Sequence, residues 1–371
     1  MKTIVSLVSN QTIPNVEFIK EFDGQDVKYL FITTKQMQKE LGWIISTTNI
    51  TAYDIIEVNA FDQSDIIDKL NNYDFGNGEI LLNVTGGTKL MSLIINEYFR
   101  NLGATIYYLT GHSKTYVKLF PNRGKQKFVL TKKLSLDEYL SANGFDIVKS
   151  EVAHEMNVAK KFLDYFTTGD NYEKNKQILR MLQGLRGKKE FSVEKVDGLS
   201  VLLNELDFNA KLDILTKYDA RYITGEWFEE YIYYRVKNDL KLDDDEIGIG
   251  YKLTKSNVQN EIDVLFIYNH QLYIIECKTS FYSYKLLENG SEKKINLLGE
   301  IIYKSDALRS KFGLFARTYI LTLGEMRDDK GDVLLNFKTH IDRADLSRIQ
   351  IISRKEVLKD AKIKELLKIN N

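Results

Sequence analysis

Over its first 140 residues the chain alternates short β-rich apolar runs with amphipathic stretches, and few folds satisfy that pattern. Thr3–Val8, Lys28–Thr33, Tyr53–Val58, Glu79–Val84 and Thr105–Leu109 read as strands. Helical patterns run from Val16 and over Thr34–Leu41, Gln63–Tyr73 and Lys89–Leu102. In the last of these, Leu90, Leu93, Ile94, Tyr98 and Leu102 recur at helical spacing before Gly103 ends the run. Strands separated by helix-length segments need crossover connections, so the expected sheet is mostly parallel with helices on both faces. The N-terminal part is an α/β, Rossmann-like domain on this reading.

The strand signal fades from Asn143 to Tyr218. Glu151–Phe166, Tyr172–Leu185 and Val196–Leu206 read as helices, with loop chemistry at Thr167–Asn171. This is a helical connector or a small winged-helix module. A second α/β pattern follows. Gly225–Lys237 is an aromatic-rich helix, and Ile247–Leu253, Glu261–Tyr268 and Leu272–Lys278 are strands. A polar turn at Asn269–Gln271 makes the last two a hairpin. A helix over Asn296–Arg309 and strands at Arg317–Leu323 and Ile349–Ile352 complete the pattern. With 371 residues there is length for two or three such units.

Composition removes several function classes. The single cysteine, Cys277, excludes a disulfide framework and fits a reducing cytoplasm. The opening MKTIVSLVSNQTIPN reads as a first strand, not a signal peptide, and no apolar run is long enough to span a membrane. Lys plus Arg equals Asp plus Glu at 52 each, so no global basic field points to nucleic acid, although residues 281–371 carry a local basic surplus.

Two constellations carry chemistry. In the C-terminal half, Asp263 lies in one hairpin strand, and Glu276 and Lys278 end the next. Residues two apart on a strand share a face, so Glu276 and Lys278 point together and Cys277 points to the core. Antiparallel pairing brings Asp263 to the same end. A solvated cross-strand charge cluster is the plain alternative, yet the flanking VLFIY and LYII are the residues of buried strands. Converging buried carboxylates are costly without a cation, and Mg²⁺ or Mn²⁺ held by oxygens resolves the cost. Such an ion activates water and neutralises a scissile phosphate, with Lys278 orienting or deprotonating the water or stabilising the transition state. In the N-terminal half, Asn83–Ser92 (NVTGGTKLMS) sits at a strand-to-helix junction. Gly86 and Gly87 permit a sharp turn, Thr85, Thr88 and Ser92 offer hydroxyls, and a helix N-terminus with Lys89 makes an anion site. It is neither a phosphate-binding GxxxxGK[ST] loop nor GxGxxG. A tight turn with a solvated lysine is the alternative.

The ID-V-x11-E-C-K pattern behind an acidic helix resembles the PD-(D/E)xK restriction-endonuclease-like superfamily, with Ile262 where a proline is usual. The resemblance implies Asp263 and Glu276 as metal ligands, Lys278 as catalytic lysine, and Glu226 as the upstream carboxylate, with Glu229 or Glu230 as substitutes. Glu300 and Lys304 would line the substrate side. The N-terminal motif resembles the CARF (CRISPR-associated Rossmann fold) domain, which dimerises and binds cyclic oligoadenylates. That resemblance implies messenger contacts at Ser9, Asn10, Gln11, Thr12, Thr33, Thr34, Lys35, Thr85, Gly86, Gly87, Thr88, Lys89, Thr110 and His112. The pairing is similar to the single-CARF CRISPR ancillary nucleases of the DUF1887 type. It implies a CARF domain over 1–140, a connector over 141–217 and a nuclease domain over 218–371. It also implies a cytoplasmic homodimer switched on by cyclic tetra-adenylate and cutting single-stranded RNA, DNA or both. Two other outcomes stay open: a CARF-bearing transcriptional regulator that binds DNA without cutting it, and a CARF domain that degrades its own messenger.

Overall fold

The computed structural model describes residues 2–110, 114–286, 292–313, 315–328 and 330–369. The N-terminal domain contains β1 (Lys2–Leu7), α1 (Ile13–Phe22), β2 (Val27–Thr33), α2 (Gln38–Thr48), β3 (Tyr53–Glu57), α3 (Gln63–Asn71), β4 (Glu79–Asn83), α4 (Lys89–Asn101), β5 (Thr105–Leu109), β6 (Thr115–Phe120), β7 (Lys127–Val129) and α5 (Leu136–Ala142). Strand order is β3-β2-β1-β4-β5-β6-β7. The first five strands are parallel, and β6 and β7 add an antiparallel edge. Central strands covered on both faces read as unbroken apolar runs, and Ile4, Val5, Leu7, Leu81 and Leu82 are all buried.

The middle segment begins with β8 (Asp146–Ser150), α6 (Met156–Thr167), α7 (Asn171–Lys174), α8 (Lys176–Leu185), β9 (Glu190–Ser192), α9 (Leu199–Leu206), β10 (Ile214–Thr216) and α10 (Lys217–Arg221). Its helices match the expectation, with two differences. β9 and β10 form a small antiparallel ribbon, and β8 leaves the connector to become the edge strand of the second sheet. The C-terminal part holds α11 (Trp227–Leu240), β11 (Ile247–Lys255), β12 (Val258–Tyr268), β13 (Gln271–Lys278), β14 (Tyr282–Leu286), β15 (Glu292–Asn296), α12 (Leu298–Arg309), β16 (Arg317–Thr322), α13 (Leu335–Leu346), β17 (Ile349–Ile352), α14 (Arg354–Val357) and α15 (Ile363–Leu366). Its main sheet runs β17-β16-β13-β12-β11-β8. The β12–β13 hairpin turns on Asn269 and His270, both at positive φ, the connection that matches strand twist in a two-residue loop. The β14–β15 ribbon and α13 have no counterpart in the sequence reading.

One helical layer is shared by both sheets. Phe18, Ile19, Leu41, Ile44, Tyr139 and Leu140 from α1, α2 and α5 lie in one apolar cluster with Ile4 and Leu81 of the first sheet. Leu253, Ile262, Leu265, Leu272 and Ile274 of the second sheet belong to the same cluster. Polar contacts seal this seam. His270 Nδ1 lies 2.8 Å from Glu17 Oε1, Lys255 Nζ donates to Asn143 O at 2.7 Å, and Leu136 N donates to Asp245 O at 2.7 Å. The second sheet's other face packs on α6 and α11 through Phe162, Trp227 and Phe228.

Helix α4 departs from the expected pattern. Its buried stripe is Met91, Ile95 and Phe99, while Leu90 and Leu102 are exposed and Leu93 is 69% exposed. Of the residues at that spacing, Ile94 and Tyr98 are partly buried against the core, and Leu90, Leu93 and Leu102 face outward.

Glu17 is almost wholly buried, and burial pushes its carboxyl above the usual range despite the opposing pull of His270. His270→Ala strands that carboxyl and is expected to cost about 1–3 kcal/mol, read as a lower urea midpoint. Lys133→Ala, which breaks an ion pair whose lysine side chain is 69% exposed, is expected to stay within about 0.5 kcal/mol of wild type.

Candidate active site and ligand cavity

Val264 pairs with Ile275 across the β12–β13 hairpin, so the next step sets Asp263 opposite Glu276. Both carboxylates are buried, and Lys278 sits between them. Its Nζ is 2.8 Å from Glu276 Oε1, 3.1 Å from Asp263 Oδ2 and 3.0 Å from the Cys277 carbonyl oxygen. Cys277 N donates to Asp263 Oδ2 at 2.7 Å, fixing that carboxylate at the strand end. The Cys277 side chain points into the core, where burial pushes its thiol well up.

Burial, reinforced by the charge of Glu276, pushes the Asp263 carboxyl up to about 6. Burial alone would lower Lys278, but Asp263 and Glu276 outweigh it and hold its ammonium above the ordinary lysine range. With no metal ion on the carboxylates Lys278 is therefore charged, and in that form it suits charge stabilisation. Its three neighbours are hard oxygen donors, two carboxylates and one carbonyl. A Mg²⁺ or Mn²⁺ ion drawn to the place the ammonium now neutralises would find a chemically suitable set. Among the described residues no group of three or more His, Cys, Asp or Glu side chains is already arranged to hold a metal.

The three upstream carboxylates the sequence offers, Glu226, Glu229 and Glu230, have different surroundings. A π-helical turn over Tyr222–Glu226 leads into α11 and shifts the helix face. Burial and then the Asp263 charge raise Glu229 well above the usual carboxylate range, with Lys278 and Glu276 also within electrostatic reach. Glu226 is raised by burial as well, but its strongest charge neighbours are Arg221 and Arg186. Glu230 accepts from the backbone N–H groups of Ala153 and His154 and braces the chain after β8. Glu229 is thus the α11 carboxylate that faces the cluster. Lys304 Nζ lies 3.9 Å from Glu276 Oε1, and Glu300 is exposed one turn earlier.

A cavity of about 650 Å³ opens in the N-terminal domain at the carboxyl ends of β1, β2, β3 and β4, where strand order reverses. Ser9, Asn10, Thr34, Lys35, Gly87 and Thr88 line it as the motif reading implies. The loop after β3, Asn59–Phe61, lines it too and was missed, although a position past the carboxyl end of a parallel strand was the available signal. A Cβ on Gly86 would stand 2.1 Å from Leu7 O, so only glycine lets this turn close over β1. Thr88 caps α4 by accepting from Met91 N at 3.2 Å.

Other expected contacts serve the scaffold. Thr85 Oγ1 donates to Asn83 Oδ1 at 2.6 Å and accepts from Leu109 N at 2.8 Å. Thr12 Oγ1 donates to Ala142 O at 2.6 Å, and Thr33 is fully buried in β2. Gln11 turns away toward Gly313, where a Cβ would meet its Oε1 at 2.8 Å. Lys89 is exposed at the start of α4 and is not among the lining residues, and Thr110 donates to Thr115 O. His112 lies outside the described residues.

A Rossmann-like ligand domain fused to a sheet bearing an Asp, Glu and Lys cluster defines a ligand-linked nuclease class. Residues 3–139 match the family model of the Card1 CARF domain, and residues 216–368 match that of the Card1-like endonuclease domain. The chain belongs to this Card1 family and is an endonuclease. Among solved structures it is similar to protein VC1899 from Vibrio cholerae, at TM-score 0.72 and 20% identity over 99% of this chain and 96% of that one. It is also similar to Can2 from Sulfobacillus thermosulfidooxidans, solved with cyclic tetra-adenylate, at TM-score 0.68 and 20% identity over 99% and 97%. A type III CRISPR defence DNA nuclease activated by cyclic oligoadenylate aligns at TM-score 0.56 and 15% identity over 92% of this chain and 51% of that one. No curated protein matches the sequence. No described helix is long and apolar enough to cross a membrane.

Glu229→Gln is expected to lower metal-dependent cleavage by about 10²-fold or more, the scale of a lost catalytic group. Glu226→Gln is expected to lower it less than about tenfold on the same footing. Initial rates on one labelled substrate with both variants decide between the two carboxylates.

Proposed function

We propose that this endonuclease requires Mg²⁺ or Mn²⁺ and is switched on by cyclic tetra-adenylate bound to a homodimer, as part of type III CRISPR defence. One observation carries the switch. The β1–α1 loop contributes Ser9 and Asn10 to the cavity, and its next residue, Gln11, packs against Gly313 just past the end of α12. Helix α12 in turn carries Lys304 to the catalytic carboxylate Glu276. A ligand that moves this loop therefore pushes on the helix that flanks the active site.

The dimer reading rests on the exposed Leu90 and Leu93 of α4 and on Phe61, which stands 80% exposed at the cavity rim. Covering this apolar rim with a second copy would enclose a cyclic messenger between two cavities. Can2, the similar structure solved with cyclic tetra-adenylate, guides the choice of ligand. The regulator alternative finds no support, because both matched models belong to Card1-type nucleases.

At the catalytic end, a bound divalent ion supplies an activated water and charge neutralisation. Asp263 and Glu276 would hold the ion, and the Cys277 carbonyl offers a further oxygen beside them. Lys278, in its charged form, stabilises negative charge building on the phosphate. Lys304 sits where a neighbouring phosphate would pass.

Because burial and the Glu276 charge push the Asp263 carboxyl up to about 6, protons compete with the ion there. The carboxyl is protonated below that value and ionised above it, so Mn²⁺ affinity is expected to weaken by up to about tenfold per pH unit below 6. Calorimetric titration from pH 5 to 8 reads this, and a flat profile removes Asp263 from the metal site.

The central test incubates protein with labelled single-stranded RNA and DNA, Mn²⁺ or Mg²⁺, and cyclic tetra-adenylate. Cleavage is expected only with both metal and messenger, and Lys278→Ala is expected to abolish it. Gln11→Ala is expected to bind messenger within about threefold of wild type yet lose about tenfold or more of the activation, a coupling of ordinary size. Full messenger-dependent cleavage by Gln11→Ala would sink the proposed path.

A further inference from the structure

Helix α12 turns Leu298, Ile301, Ile302, Ser305 and Leu308 inward, leaving Glu300, Tyr303, Lys304 and Ala307 as an outward stripe. Lys304 in this stripe reaches the catalytic Glu276, so the stripe begins at the reacting centre. Tyr303 beside it is 59% exposed. The Arg343 guanidinium of α13 lies over its ring, 4.8 Å from the centroid. The two helices cross closely at Gly299, where a Cβ would press on His340 at 3.3 Å. Burial and the Arg343 charge hold His340 below its ordinary value, so it adds no further cation near neutral pH. A lone exposed tyrosine is ordinary, but one backed by an arginine and next to a lysine on a catalytic carboxylate is a different object.

We propose that Tyr303, backed by Arg343, is a stacking platform for the base of a single-stranded substrate next to the cut, with Lys304 and Arg343 contacting the flanking phosphates. The proposal rests on the nuclease reading and deepens it. A single strand presents base faces and phosphates in alternation, and an exposed ring under a guanidinium, with a lysine at the next position of the same exposed stripe, offers partners to both. The guanidinium covers part of the ring and leaves the rest to a base, adding its own attraction. Duplex bases are already stacked and offer this ring no free face. A second cation–aromatic pair, Lys294 over the Tyr282 ring at 3.6 Å, stands beside α13, to which Tyr282 is linked by Asn336 Nδ2. It continues the same chemistry away from the site.

The test compares wild type, Tyr303→Ala, Tyr303→Phe and Arg343→Ala in full-length protein, with messenger and Mn²⁺. Substrates are a fluorogenic single-stranded oligonucleotide and versions with one abasic residue stepped along the cut region. Tyr303→Ala is expected to raise KM about five- to hundredfold, the range one base-stacking ring confers, and Tyr303→Phe to stay near wild type. Arg343→Ala is expected to flatten the dependence of log KM on log salt by about 0.7, one phosphate contact on a single strand. Removing the base beside the cut should weaken wild type and leave Tyr303→Ala unmoved. Tyr218→Ala, which removes an exposed tyrosine paired with Lys217 at 5.0 Å, is the control and should change neither quantity.

An unchanged KM in Tyr303→Ala overturns the platform, as does an abasic penalty equal in wild type and variant. If wild type cuts nothing, the nuclease switch fails separately. Fluorescence anisotropy of the same labelled strands on Lys278→Ala, with and without Tyr303→Ala, then still reads the platform. Equal binding by the two proteins rejects it.

Discussion

The molecule depends on one apolar layer that serves two sheets. Helices α1, α2 and α5 bury Phe18, Leu41, Ile44 and Leu140 against the first sheet and against Leu265, Leu272 and Ile274 of the second. Neither sheet has a spare covering for that face, so the ligand domain and the nuclease sheet cannot separate without opening a shared core. The seam ends at His270, in the turn of the hairpin whose other end bears Asp263, Glu276 and Lys278. The catalytic hairpin is thereby clamped at its turn by α1 of the ligand domain.

The active site is an electrostatic counterpart to that clamp. Asp263, Glu276 and Glu229 converge in a poorly solvated place with Lys278 as the cation that contacts two of them. Burying such charges is unfavourable unless they are paired, so the protein holds a site that favours a cation. The same demand keeps Lys278 protonated. In that charged form, without a metal ion on the two carboxylates, Lys278 is suited to stabilising negative charge in a transition state.

How much of this was readable follows from burial. Parallel strands covered on both faces are nearly continuous apolar runs, so the Glu79–Val84 run falls on β4, whose residues after Glu79 are all buried. The β14–β15 ribbon is rich in lysine and polar residues and lacks that signature. In α4 apolar residues occupy two faces, so periodicity picked Leu90 and Leu93 over the buried Met91, Ile95 and Phe99. The Asp, Glu and Lys cluster was legible because strand alternation fixes which side chains share a face. The helix carboxylate was legible only as a choice among Glu226, Glu229 and Glu230, because residues three and four apart are neighbours on a helix surface. Thr12, Thr33 and Thr85 look like ligand contacts in sequence because a hydroxyl near a loop suits both a ligand and a backbone carbonyl.

The shared core also limits how a ligand can act at a distance. Packed interfaces change between discrete arrangements and do not stretch, so the proposed switch must use a segment that borders the core without belonging to it. Ser9–Gln11 qualifies: it is half-buried or exposed, it touches the cavity at one end and Gly313 at the other, and the rigid layer lies beneath it. A nearly complete shift between off and on states asks for about 5.5 kcal/mol of differential binding. A ring of four phosphates held by two cavities can supply that only if both copies close on it together. Phe61 at the cavity rim and Leu90 and Leu93 on α4 are exposed apolar side chains that the proposed second copy would cover. On the proposed path the Ser9–Gln11 loop needs to act only on α12, because Lys304 of that helix already stands within 4 Å of Glu276.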